Sequence, residues 1–177
     1  MDIIGHFKTI TYHKWLVMKG CFKLGLYKQG ILHDMSKYSP TEFFIGAKFY
    51  QGTRSPNNAE REDKGYSLAW IHHYGRNKHH YEYWSDYIQG TGKMRPVEMP
   101  VKYAVEMFVD RVCASKVYNK EAYRDDSPLK YYENSKAKDL IHPNTAAFLE
   151  KLLKKLAKDG EEKTFRYIRK VILKNYK

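Results

Sequence analysis

His33 and Asp34 stand side by side in the chain, and Lys37 follows within one turn. Imidazole and carboxylate are the ligands that divalent transition metals favour. An ammonium group placed so close to that carboxylate can meet a phosphate oxygen and stabilise charge that develops on it. The pair has company. His13 precedes it, His72-His73 and His79-His80 follow it, and Asp110 comes later, so six of the eight histidines bear on this chemistry. Singly, each has an ordinary explanation: a hydrogen-bonded core histidine for His13, an arginine-paired carboxylate for Asp110, surface positions for the double histidines. A metal site explains all of them at once, and it also removes the cost of placing a carboxylate in an apolar helix.

The elements that must hold these residues read as helices. From about Ile3 to Gln29, apolar residues recur at three and four, and His13 falls on the inward stripe with Leu16, Val17, Gly20, Cys21 and Leu24. Gly30 ends this helix and leaves His33-Asp34 at a turn. Ser39-Pro40-Thr41-Glu42 is a helix start, with serine as cap, proline in the first turn and Glu42 closing a capping box. A further helix is expected from about Ala59 to Tyr74, a basic turn over 75–78, and an aromatic helix opened by His79-His80 and running through Trp84 and Tyr87. Residues 89–96 read as a loop. Met99-Pro100 begins a helix with Asp110 one step from its apolar face. Asn144-Thr145 caps another, and a last helix runs from Glu161 to about Asn175. The expectation is an all-α bundle of about seven helices with no alternating strand. Residues 1–177 form one domain, with a core over about 3–118 and a C-terminal extension over 119–177 that carries a helical hairpin. Adjacent helical residues point about 100° apart, so one member of each histidine pair is expected to face the site.

Composition narrows the classes. The 177 residues suit one domain that buries its own core. Cys21 and Cys113 read as reduced, buried thiols, which fits a cytoplasmic protein. No run approaches the ~20 apolar residues of a membrane span, and the first residues lack the pattern of a signal peptide. The net charge of +12 is concentrated in the C-terminal third, from Lys151 to Lys177. It would attract a phosphorylated small molecule or nucleic acid, although no nucleic-acid motif accompanies it. Oligomeric state is not encoded in any of these patterns.

The order of these residues resembles the HD superfamily of helical, metal-dependent phosphohydrolases. His13-Lys14-Trp15-Leu16-Val17 is similar to the first-helix motif of that superfamily, and His33-Asp34-Met35-Ser36-Lys37 to its His-Asp signature. Asp110, with Ala114-Ser115 after it, is similar to its closing aspartate. The double histidines resemble the extra histidines of the HD-GYP branch, whose Gly-Tyr-Pro element is missing here, with His72-His73-Tyr74-Gly75-Arg76-Asn77-Lys78-His79-His80 in its place. Ser36 to Phe43 and Met99 to Tyr103 look most like a bacterial and phage family of unassigned function near that superfamily. The resemblance implies one or two divalent ions, Mn, Fe, Co or Ni, with Zn suiting the same ligands. It implies His13, His33, Asp34 and Asp110 on the first ion, and Asp34 bridging to a second ion held by His73, His79 or His80. Asp34 and Lys37 would be catalytic, with Lys37, Arg76 and Lys78 binding phosphate, and a metal-activated water would hydrolyse a phosphomonoester or nucleotide. Two other functions fit the same residues: a non-catalytic basic module that binds nucleic acid, and oxygen chemistry at a di-iron centre.

Overall fold

The computed structural model of the chain describes residues 1–174. The chain is mostly helical, with nine α-helices and one small antiparallel hairpin among the described residues. Helix α1 (Ile3–Lys23) is capped by Asp2, whose side chain accepts from Gly5 N at 2.7 Å. It buries His6, Ile10, His13, Val17, Gly20 and Cys21, a stripe at helical spacing that begins polar and ends apolar. The polar half is where the site lies.

The expected long first helix is in fact two. Gly25 takes φ +80°, a left-handed conformation that glycine adopts without penalty. The chain turns there and α2 (Tyr27–Leu32) folds back along α1. A short 3-10 turn (Met35–Tyr38) then leads into α3 (Pro40–Lys48). The helix expected over 59–74 is likewise divided, into α4 (Pro56–Lys64) and α5 (Leu68–Tyr74), by the left-handed Gly65. Glu60 ties the two together. Its carboxylate is fully buried and accepts from Ser67 Oγ at 2.7 Å and from Ala69 N at 3.4 Å.

His79-His80 open no long helix. A 3-10 turn (Tyr81–Tyr83) passes into a hairpin of β1 (Ser85–Ile88) and β2 (Lys93–Pro96), registered with Ser85 opposite Pro96 and Ile88 opposite Lys93. Both strands are almost wholly exposed. No buried face imposes alternation on them, so the sequence carried no strand pattern.

Helix α6 (Val101–Asn119) is the central element. It is buried on nearly every side, from Ala104 through Val109 and again at Val112 and Cys113. Glu106 is the one charged residue among these buried positions. Helix α7 (Ser127–Glu133) leads to α8 (Pro143–Asp159) and α9 (Glu161–Tyr167), which continues into a π-type turn (Ile168–Ile172). The last helix was expected to reach Asn175, a position outside the described residues. The C-terminal hairpin is integral to the core. Leu149, Leu152, Leu153 and Leu156 are completely buried in one cluster with Val17, Cys21, Phe108, Val109 and Val112. Among the described residues no helix is long and apolar enough to cross a membrane.

Candidate metal centre

His33 ends α2, and the chain then makes an unusual step. Asp34 takes φ 54° and ψ 23°. Aspartate tolerates this left-handed conformation better than most residues, but the conformation still costs energy and occurs mainly where function requires it. The turn is clamped from α1. Lys14 Nζ donates to the carbonyls of Ile31 at 2.6 Å and His33 at 2.8 Å. The result is that both carboxylate oxygens of Asp34 point into the protein, where only 2% of the residue is exposed.

Two groups of side chains meet at those oxygens. On one side, His13 Nε2 and His33 Nε2 lie 3.6 and 3.4 Å from Asp34 Oδ2. The same two nitrogens lie 2.9 and 3.5 Å from Asp110 Oδ1. On the other side, His73 Nε2 and His79 Nε2 lie 3.2 and 3.3 Å from Asp34 Oδ1. His80 joins this second group, and within each group the ligand atoms all lie within 4.8 Å of one another. Two donors bound at right angles to one ion at ~2.1 Å sit about 3 Å apart, so these separations suit a shared ion on each side, with Asp34 between the two.

The chemistry of the donor set agrees. The Nε2 atoms of His13, His33, His73, His79 and His80 and both oxygens of Asp34 are buried without a hydrogen-bond partner among the described residues. Buried polar atoms are rarely left so, and here seven of them converge. The opposite ring nitrogens are anchored. Glu106 Oε1 accepts from Nδ1 of His33 at 3.0 Å and lies 3.2 Å from Nδ1 of His79. Glu42 accepts from Nδ1 of His73 at 2.7 Å and of His72 at 2.6 Å. A carboxylate on Nδ1–H fixes the tautomer that leaves the Nε2 lone pair for a metal.

Electrostatics point the same way. Burial opposes ionisation of Asp34, but the charges of His33, Lys37 and His73 outweigh it and hold the carboxyl well below the usual range. Asp110 is held low in the same manner, by His13 and His33 against burial. On His33 burial favours the neutral ring, yet Asp34, Asp110 and Glu106 push its pKa well above normal. The ionised carboxylates thus draw positive charge into a buried space, and divalent cations would supply it.

A cavity of about 690 Å³ opens over the cluster, with His13, Lys37, His73, His80 and Asp110 in its wall. That volume is in the range of small-molecule sites. Lys37 Nζ forms an ion pair with Asp34 Oδ2 at 2.6 Å and also lines the cavity.

Set against the sequence reading, His13, His33, Asp34, His73, His79, His80, Asp110 and Lys37 are brought together. Arg76 and Lys78 are not. Both are exposed and outside the cavity wall. Arg76 Nη1 donates to the carbonyl of His72 at 3.2 Å, and Lys78 lies over the rings of Tyr83 and Tyr103. Of the first histidine pair only His73 faces inward. Both members of the second pair do, because residues 77–80 form a turn and not a helix, so the 100° rule does not apply to them. Three supporting residues were missed. Glu42 was read as a helix-capping side chain, yet Ser39 makes no side-chain cap bond and Glu42 turns to the histidines instead. Glu106 was legible as a charge inside an apolar helix, four residues before Asp110 and on the same face. Lys14 had no signal, since its partners are backbone carbonyls. The basic C-terminal third is partly neutralised, with Lys154 on Glu150, Lys155 on Asp159 and Arg166 on Glu162.

The fold and this cluster define a mostly helical protein with a buried histidine–carboxylate centre. The chain belongs to the family described as "Family of unknown function (DUF5662)", whose model matches residues 2–155. No curated protein and no solved structure matches it.

Proposed function

We propose that the protein is an HD-like, metal-dependent phosphohydrolase acting on a phosphomonoester or nucleotide. One observation carries the reading: five imidazole nitrogens and both oxygens of one aspartate converge, buried and without a hydrogen bond among the described residues, beneath a cavity. His13, His33, Asp34 and Asp110 would hold one ion, and Asp34, His73, His79 and His80 a second. Such ions, when bound, acidify water and polarise a phosphoryl oxygen. The chain's own residues supply the rest. Glu106 and Glu42 hold the imidazoles in register. Asp34 bridges the two groups through separate oxygens. Lys37 pairs with the Asp34 carboxylate and turns its N–H donors to phosphate oxygens as charge develops there.

The test begins with elemental analysis of protein purified without chelators, followed by titration with Mn and Ni. Two equivalents are expected, together with hydrolysis of an aryl phosphate. Asp34→Asn keeps a residue that tolerates the left-handed turn but removes the bridging charge. It should lose metal and activity while far-UV circular dichroism stays helical. Protein that takes up no metal would overturn the reading, as would a metal-loaded protein that turns over only in the presence of oxygen and hydrolyses no phosphate ester.

A further inference from the structure

Two charged side chains in the cavity wall have no part in the metal cluster. Arg111 follows Asp110 on α6, and Glu82 lies two residues beyond His80. Both line the same cavity. Arg111 Nε is buried without a hydrogen-bond partner among the described residues, and so is Glu82 Oε2. The guanidinium packs 5.7 Å from the ring centroid of Tyr132, which holds it in place without accepting any of its protons. Leaving such groups unsatisfied is costly, so each is suited to a partner that enters from the cavity.

The two charges differ in sign, and this restricts the partner. A second phosphate or carboxylate placed on Arg111 would share the wall with the Glu82 carboxylate and be repelled by it. A neutral group that accepts from the guanidinium and donates to the carboxylate meets both needs. Neighbouring C=O and N–H groups on a heterocyclic ring have that character. The wall also offers an aromatic surface, since Trp70 lines the cavity with its ring 4.7 Å from that of His80 and 5.5 Å from that of His73. We propose that Arg111 and Glu82 form a specificity subsite that binds the non-phosphate part of the substrate by an amide-like edge, such as a nucleobase presents. The proposal rests on the phosphohydrolase reading for the phosphate end alone.

Rapid-mixing titration of Mn-loaded protein with inosine 5′-monophosphate and with phenyl phosphate, read before turnover, tests it. Charged hydrogen bonds of this kind are worth roughly tenfold or more in affinity. The nucleotide should therefore bind about tenfold or more tightly than phenyl phosphate. Glu82→Gln and Arg111→Met should each bring the ratio of the two affinities close to one. Equal affinity for the two ligands in the wild-type protein would overturn the subsite without involving any variant. A ratio unchanged in both variants would overturn the assignment to these residues. The phosphate reading fails separately: both phosphates would then bind no better with Mn than without it.

Discussion

At the level of single residues, the two carboxylates behind the histidines do different work. Glu106 contacts His33 and His79, one from each ligand group, whereas Glu42 reaches only His73 of the second group. Loss of such a partner weakens a metal site by about 10–100-fold. Glu106→Gln should therefore lower affinity for both ions, and Glu42→Gln for one, as resolved by chelator competition. His6 offers a second test, away from the ligands. Burial, helped by the charge of Lys37, lowers its pKa to about 4 from the usual 6.5. The folded state thus favours neutral His6. That contribution is complete above pH 6.5 and is lost as pH falls towards 4. Denaturant unfolding of metal-free His6→Gln should show a shallower loss of stability between those pH values than the wild type, and parallel curves would count against it. The candidate metal ligands were legible because histidine and aspartate are rare and costly inside helices. Glu42 was not, because a glutamate three residues after a serine has a good local explanation, and only the fold shows that a distant histidine outcompetes it.

At the level of elements, the site depends on how closely α1 and α6 approach. Gly20 sets that distance. A Cβ added there would lie 2.6 Å from Val109 Cγ1. His13 lies two turns before Gly20, and Asp110 directly follows Val109, so a wedge between these helices also separates two ligands. Gly20→Ala should destabilise the protein by roughly 1–3 kcal/mol. Thermal unfolding should read this as about 2–4 °C per kcal/mol for a chain of this size, with weaker binding of the first ion. Periodicity made the helices legible, but not their breaks. Gly25 and Gly65 lie inside stretches that read as single long helices, and only the packing of α2 on α1 and the bonds of Glu60 to Ser67 and Ala69 show that they are turns.

For the molecule as a whole, the C-terminal hairpin decides whether the domain folds. Leu149, Leu152, Leu153 and Leu156 are each fully buried against the helices that carry the site. Removing a buried leucine costs on the order of 2–5 kcal/mol, so losing all four costs about as much as the whole ~5–15 kcal/mol that a typical domain has. A chain of residues 1–118 should show no cooperative unfolding transition in circular dichroism, and a sharp one would refute this. The leucine stripe was visible as a helix, but a stripe does not name its partner, and nothing local shows that it packs on α6. The same long reach has a consequence for the centre itself. The candidate ligands are drawn from His13, His33-Asp34, His73, His79-His80 and Asp110, segments far apart in the chain. An ion held by His13 and Asp110 would close a loop of almost a hundred residues and act on the unfolded chain as a reversible crosslink does. Metal loading should then raise the midpoint of denaturant unfolding above that of the metal-free protein.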